Sequence, residues 1–425
     1  MNHLVYSVFC LASISLCMAA DWPQWRGPSL NGVSDETALP DALNTESLLW
    51  KAPLPGPSAA TPVIADGCIY LTAGRKNDPN VTALCLSAID GTQKWGVTLF
   101  TKGPNPGQND VVSCSPVAYD GGAVFLFGEG TLLRLDAQGR RRWKLNLVEQ
   151  YGPLTHKFGF SSSPLLYDQK LYIPVLRQLP EGRSEPLMSY LLCVDAESGR
   201  VLFRHDRPTD AVEEGRDAYT TPLTANVSGQ TQIIVYGGDY LTAHAPDDGR
   251  ELWRYGYGPE HNSIARLISS PAISGNIVVC VAPRGAKTFA VDIEKITDGA
   301  PALLWTQTIK GPDVPSPVCY RGCAYIIDEY RKSLTCLSLS DGALCWTGQL
   351  DKSDLYYASI TAADGKLYMV NRKGAVTVAA ADPREFRILS TSFFKESPVD
   401  STLAIAGGKV YLRTAENLYC FGKKE

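Results

Sequence analysis

The stretch SPVCYRGCAYII (Ser316–Ile327), followed by CLSLSDGALCW (Cys336–Trp346), decides the fold. A short apolar segment, an Arg-Gly turn and an alternating segment read as one β-hairpin. The second string repeats the logic around Asp341-Gly342, and Trp346 falls four residues after the turn glycine. Together they make four short antiparallel strands, A to D, with an aromatic residue opening strand D.

The same unit recurs along the chain. Its copies begin at Thr61, Ser115, Ser163, Thr221, Ser270, Ser316, Ser359 and Ser401, each a small residue often followed by Pro. Strand D opens on Trp95, Trp143, Phe203, Trp253, Trp305 and Trp346. The seventh copy departs, with Phe386 where Trp is expected and Ile360 in place of Pro. A four-stranded repeat of this length matches one blade of a propeller. One blade cannot bury both faces alone, so neighbours must stack and close into a ring. The last copy ends at Cys420-Phe421 without a strand D, while Leu48-Leu49-Trp50-Lys51 has the strand D signature. The expected fold is therefore all-β: an eight-bladed β-propeller of four-stranded antiparallel blades over 48–421, closed by an N-terminal strand. Residues 21–47 form an extension packing on the propeller, and 422–425 a tail.

Composition fits this reading. The chain is 44% apolar and 20% charged, with a formal net charge of −4, which argues against a nucleic-acid binder. The apolar stretch from Leu4 to Ala20 ends in small residues and reads as a signal peptide (1–20) cleaved after Ala19 or Ala20. Leu16 before Cys17 is too large for a usual lipobox, so this is not a clear lipoprotein. No later stretch could span a membrane. The expected location is periplasmic or secreted, and the expected state a monomer.

Ten of the twelve cysteines follow Ala20, and their spacings give no CxxC metal pair. Cys85, Cys193, Cys336 and Cys420 sit at similar points of their repeats and read as small buried core residues. Cys319 and Cys323 flank a tight turn, where a cross-hairpin disulfide would fit an oxidising compartment. No metal site is expected.

The A-x-D-x-x-G-x-x-x-W pattern resembles the tryptophan-docking repeat of the PQQ-like (quinoprotein-type) β-propeller repeat family. WPQWRGP (Trp22–Pro28) and NGVS (Asn31–Ser34) resemble the start of secreted planctomycete-type proteins of that repeat class. The chain is similar too to the BamB-like outer-membrane assembly propellers. The resemblance covers about residues 21–421 and implies that Trp50, Trp95, Trp143, Trp253, Trp305 and Trp346 dock between adjacent blades. Quinoprotein dehydrogenases of this family hold PQQ with calcium, using carboxylate and amide ligands, a catalytic Asp and often an adjacent-cysteine disulfide. The sequence has no adjacent cysteines and no assignable calcium cluster, so no catalytic residues are named and no cofactor is expected; PQQ with calcium belongs to the alternative reading.

The A–B and C–D turns are short almost throughout, whereas every long connection is a B–C or D–A loop on the other face. Insertions gathered on one face of a repeat protein usually mark the binding face. His156, Arg216, Asp217, Tyr219, Arg266, Asp313 and Tyr357 lie just before strands A and are the candidate binding residues at the mouth. The B–C loops add a basic bias through Arg75, Lys76, Arg177, Arg183, Arg284, Lys287, Arg331, Lys332, Arg372, Lys373 and Arg413. The expected function is a non-catalytic extracytoplasmic binding or scaffold protein, with a protein partner or small-molecule ligand in the cell envelope. The alternatives are a PQQ-dependent or related oxidoreductase, and sugar or small-anion binding at the funnel mouth.

Overall fold

The computed structural model describes residues 21–74, 79–100, 109–178, 187–258, 262–308 and 311–424. The expected signal segment, Arg75, Lys76, Asp78, Arg183 and His261 lie outside the described residues. Eight four-stranded antiparallel sheets form the ring. Blade 1 comprises Val63–Ala65, Cys68–Gly74, Asn80–Ser87 and Gln93–Phe100. Blades 2 to 7 follow in chain order. Blade 8 takes Ala404–Ala406, Lys409–Arg413 and Asn417–Phe421 from the C-terminal end and Leu48–Pro53 as its outer strand. Trp50 stands opposite Cys420 and Lys51 opposite Tyr419, so the ring closes as the missing strand D requires. The Asp66-Gly67 turn has φ of 52° and 69°, the left-handed pair that a two-residue hairpin needs. Among the described residues no helix is long and apolar enough to cross a membrane.

Blades dock through a tryptophan and a glycine that belong to neighbours. The Trp95 indole N–H donates to Ala137 O at 3.0 Å in blade 2. A Cβ added to Gly139 would lie 2.9 Å from the Trp95 ring, and Gly139 also has φ +75°. Only glycine meets both demands. The same fit recurs for Trp50 on Gly91, Trp143 on Gly199 and Trp305 on Gly342. Trp346 donates to Asp382 O at 2.8 Å.

Four seams differ from this rule. Between blades 3 and 4 Phe203 takes the tryptophan's place against Gly249, and under Trp346 the turn reads Asp382-Pro383-Arg384 without a glycine. In blade 5 the last hairpin (Thr288–Thr297 and Ala300–Gln307) is longer, and a Cβ added to Gly299 would meet no ring; Gly299 O accepts from Arg254 N of blade 4 at 2.9 Å. Trp253 instead donates to Gln232 Oε1 at 2.8 Å within its own blade, although it is buried. Phe386 does not occupy the docking position. Ser390 stands opposite Val378, where Trp95 stands opposite Cys85, and Phe386 packs back on Trp346 at 5.3 Å. The seam between blades 7 and 8 is filled by the N-terminal extension. Leu39 and Leu43 are buried in one cluster with Tyr368, Val378 and Ile405, and Pro40 O accepts from the Tyr368 hydroxyl at 3.0 Å.

The extension also seals one end of the axial channel. Trp22 pairs with Ile64, Pro23 O accepts from Ala118 N, and Gln24 bonds Leu166 N. Gly32 O accepts from Ala362 N, and Glu36 receives the N–H groups of Gly407 and Gly408. These partners lie on blades 1, 2, 3, 7 and 8. Arg26, 2% exposed, donates to Pro271 O at 3.2 Å, to Asn31 O at 2.8 Å and to Pro317 O, adding blades 5 and 6. The segment therefore ties strands A of seven blades together from the tight-turn end.

The cross-hairpin disulfide is absent, and Cys319 and Cys323 are both free. Cys319 stands opposite Ala324 and Cys323 opposite Tyr320, so alternation puts their side chains on opposite sheet faces. Cys319 joins the cluster of Trp305, whereas Cys323 joins that of Trp346.

Candidate functional site

The residue that opens each copy builds the other end of the channel. Thr61 N–H donates to Ser115 Oγ at 3.0 Å, and Ser115 N–H donates to Ser163 Oγ at 2.9 Å. The chain of bonds continues through Thr221, Ser270, Ser316, Ser359 and Thr402. Ser401 Oγ closes the circle on Ala60 O at 3.0 Å. Each hydroxyl fixes the spacing of two blades at the axis. The eighth copy thus starts at Thr402, one residue later than its Ser-Thr pair suggests.

Inside this hydroxyl belt lies a cup of about 310 Å³ that opens between the long loops. Trp25 lines it at the sealed end, and Asn109, Tyr219, Tyr357, Arg372 and Asp400 line it toward the mouth. Seven belt oxygens, from Ser115 to Thr402, each accept one backbone N–H and keep their own hydrogen to donate, whereas Thr61 Oγ1 is buried without a partner. Arg372 Nε donates to Asp400 Oδ1 at 2.7 Å, and its guanidinium lies 4.6 Å from the Tyr357 ring.

Beside the cup, on blades 3 to 6, charged side chains form one connected group. Asp217 is fully buried, and its Oδ2 accepts from Lys157 N at 2.9 Å, Gln178 Nε2 at 2.7 Å and the Tyr219 hydroxyl at 3.2 Å. Burial outweighs these donors and pushes its carboxyl up to about 7. His156 packs edge-on against Phe160 and Tyr219, and burial with Arg177 nearby pulls its imidazole down to about 3. It is therefore neutral throughout the physiological range. Arg266 Nη2 donates to Asp313 Oδ2 at 2.8 Å, and its guanidinium lies 4.7 Å from the Phe158 ring. Phe158 N–H donates to the Tyr219 hydroxyl, which joins the two halves. Buried Glu329 accepts from Asp313 N at 2.7 Å, and burial raises its carboxyl to about 7. Glu214 pairs with Lys157 and lies 3.8 Å from Arg266.

The fold thus gathers His156, Asp217, Tyr219, Arg266 and Asp313. Tyr357 sits apart, on Arg372. Arg216 turns to Ala211 O at 3.4 Å and joins neither group. Three of the basic-loop arginines are committed to backbone or to an acid. Arg177 is buried and donates to Tyr151 O and Pro153 O, and Arg413 is buried and donates to Gly56 O. Arg331 pairs with Asp328 at 2.7 Å. These arginines tie loops to backbone or acids.

Sequence reasoning missed Trp25, Asp400 and the belt. The belt had a signal, since the opening residue of all eight copies carries a hydroxyl and not merely a small side chain. Asp400 had one too, since it directly precedes the eighth strand A, but Trp25 carried none, because only the folded ring brings the N-terminal segment to the axis.

The cup does not fit a calcium-held quinone. PQQ carries three carboxylates and would need several free cations, yet the cation lining the cup is Arg372, already paired with Asp400. The carboxylate lining the cup is Asp400, and it is the one that holds Arg372.

Comparison with known proteins agrees with this architecture. A family model described as "Outer membrane protein assembly factor BamB" matches residues 41–173 and 90–348. No curated protein matches the sequence. Among solved structures, a europium-containing methanol dehydrogenase superposes with TM-score 0.69 at 11% identity, covering 95% of this chain and 98% of that one. The quinohemoprotein alcohol dehydrogenase of Comamonas testosteroni gives 0.67 at 14% identity, with 95% and 81% covered. BamB from Moraxella catarrhalis gives 0.61 at 12% identity, with 88% and 99% covered. At these identities the likeness establishes the fold, and the fold is shared by dehydrogenases and an assembly factor.

Proposed function

This chain belongs to the family described as outer membrane protein assembly factor BamB, and from that premise we propose that it is a non-catalytic, extracytoplasmic binding or scaffold protein. It works as a monomer, through its long-loop face. The observation that carries this reading is the state of the mouth. Its charges are committed to one another: Arg266 to Asp313, Lys157 to Glu214, Arg372 to Asp400. Around that neutralised group, apolar side chains face solvent. Tyr330 is 62% exposed, Ile264 50% and Val212 41%. All three stand in D–A or B–C loops of blades 3 to 6. Arg284 donates to Ile264 O and lies 4.0 Å from Glu214, and Gly215 N–H donates to Val212 O, so two of them are tied to the same network. An aromatic and two aliphatic side chains over a charge-neutral bed suit the core of a protein contact better than a site for chemistry.

The hydroxyl belt supports a second reading, in which the cup takes a small neutral polyhydroxyl ligand such as a sugar. Trp25 offers a flat apolar floor and the belt offers donors. Two experiments separate the readings. Tagged protein is isolated from its native envelope with its partner, and Tyr330→Ser and Ile264→Ser are compared with the parent chain. The scaffold reading expects the partner to be lost while the fold persists. Retention of the partner by both variants counts against it. Addition of PQQ with calcium should give neither bound-cofactor absorbance nor alcohol-dependent dye reduction; either signal would restore the oxidoreductase reading.

A further inference from the structure

Blade 6 carries a side-chain cluster on the face opposite the mouth. Cys323 opens its strand B, Cys336 lies on strand C, and Cys345 precedes Trp346 on strand D. Their three sulfurs lie within 4.8 Å of one another. Cys336 stands opposite Trp346 and Leu337 opposite Leu344, so Cys345 is the extra residue of a β-bulge. The bulge turns its side chain toward Cys336. Cys323 and Cys336 are buried, and Cys345 is exposed, which gives the cluster a path to solvent.

The other blades provide internal comparisons. Blade 1 has the same registers, with Cys68 opposite Ser87 and Tyr70 opposite Cys85, as Cys323 is opposite Ser338 and Tyr325 opposite Cys336. There the third position is Lys94, whose Nζ lies 3.0 Å from Cys68 Sγ. Blade 3 has Lys170, Cys193 and Leu202 at these positions, and blade 8 has Lys409, Cys420 and Leu49. The fold therefore accepts lysine or leucine at two of the three places, and packing does not require a second or third thiol in blade 6.

We propose that Cys323, Cys336 and Cys345 form a three-thiolate site for a soft d¹⁰ cation of the class of Cu(I) and Zn(II). Thiolates select this class, and metal–sulfur bonds of about 2.3 Å bring three sulfurs to about 4 Å from one another. The observed cluster needs only a small contraction. Cu(I) would be three-coordinate; Zn(II) would add a solvent ligand through the open side at Cys345. A disulfide is the competing fate of these thiols. Cys323 and Cys336 are diagonal neighbours, for which Cα separations of about 7–8 Å exceed the usual disulfide span. A Cys336–Cys345 bridge would leave Cys323 alone.

The test uses the full chain, reduced and kept without oxygen. It is titrated separately with Zn(II) and with Cu(I) against chromophoric chelators, and the bound metal is examined by X-ray absorption. The parent chain should bind one equivalent with sulfur neighbours. Cys345→Ser, at an exposed position, should lose that equivalent with an unchanged melting temperature. Lys94→Cys should create a second equivalent in blade 1. Metal uptake that survives Cys345→Ser, or no stoichiometric uptake of either ion, would overturn the proposal. So would recovery from cells of the chain with Cys336 and Cys345 bridged.

Discussion

At the tight-turn end of the axial channel, Arg26 reaches the carbonyls of Pro271 and Pro317 on two blades, and the surrounding segment holds five more. At the loop end, Arg372 and Asp400 pair across the mouth and leave a cup open beneath them. Both ends use arginine, but one guanidinium is spent on backbone oxygens and has no carboxylate. Burial alone lowers the Arg26 guanidinium to about 10. The chain uses its own N-terminal segment as a structural ligand at one end of the axis and leaves the cup open at the other.

The largest effect should come from the sealed end. Arg26→Ala leaves carbonyls of two blades without donors and a cavity on the axis, and should cost about 4 kcal/mol. Denaturant melts would check it, and a loss below about 1 kcal/mol would mean the segment is an accessory.

Next comes Arg266→Ala. Arg266 is 12% exposed at its side chain and holds Asp313 at 5%, so removing it strands a buried carboxylate. About 3 kcal/mol should be lost, which makes this substitution a poor probe of binding.

Asp217 gives a pH-dependent effect. Its carboxyl is raised to about 7 in the fold from an ordinary value near 3.8. The folded state then holds the proton more tightly, so its contribution to stability is complete below about pH 4 and lost as pH rises through about 7. Asp217→Asn should raise stability by about 1–2 kcal/mol at pH 8 and change little near pH 4. Its amide would take the place of Oδ1, which has no partner. A gain of equal size at both pH values would show that the carboxyl is not raised.

The smallest stability effect belongs to Arg372→Ala. This pair is a third exposed on the arginine side, so under about 1 kcal/mol should be lost. If the cup takes a polyhydroxyl ligand, Arg372→Ala should still weaken it by opening the mouth. Unchanged ligand affinity, by calorimetry, would place that ligand elsewhere.

Most of the blade architecture was legible because its signals are local. A turn glycine and a tryptophan four residues later report one hairpin, and eight hairpin pairs report a ring. What failed locally was the seam at blade 7. Phe386 looked like the docking aromatic, but the bulge register puts Ser390 there, and Leu39 and Leu43 arrive from more than three hundred residues away. Arg26 was invisible for the same reason, since its acceptors are 245 and 291 residues distant. Position before strand A was enough to place His156, Asp217, Tyr219, Arg266 and Asp313 at the mouth. It could not show that Arg216 turns away, because that depends on the path of a short 3₁₀ turn over Glu213–Arg216. Nor could charge in the sequence show that Arg177 and Arg413 are buried against carbonyls.

The claim that the open end is the binding face has one direct test. Hydrogen exchange of the chain is measured alone and with the partner recovered from its envelope. Protection should be confined to the D–A and B–C loops around Val212, Ile264 and Tyr330, with none added at Trp22–Ser34, which is already sealed. Protection instead over the tight turns, or along the outer D strands such as Leu344–Gln349, would contradict it and make the propeller an edge-on scaffold.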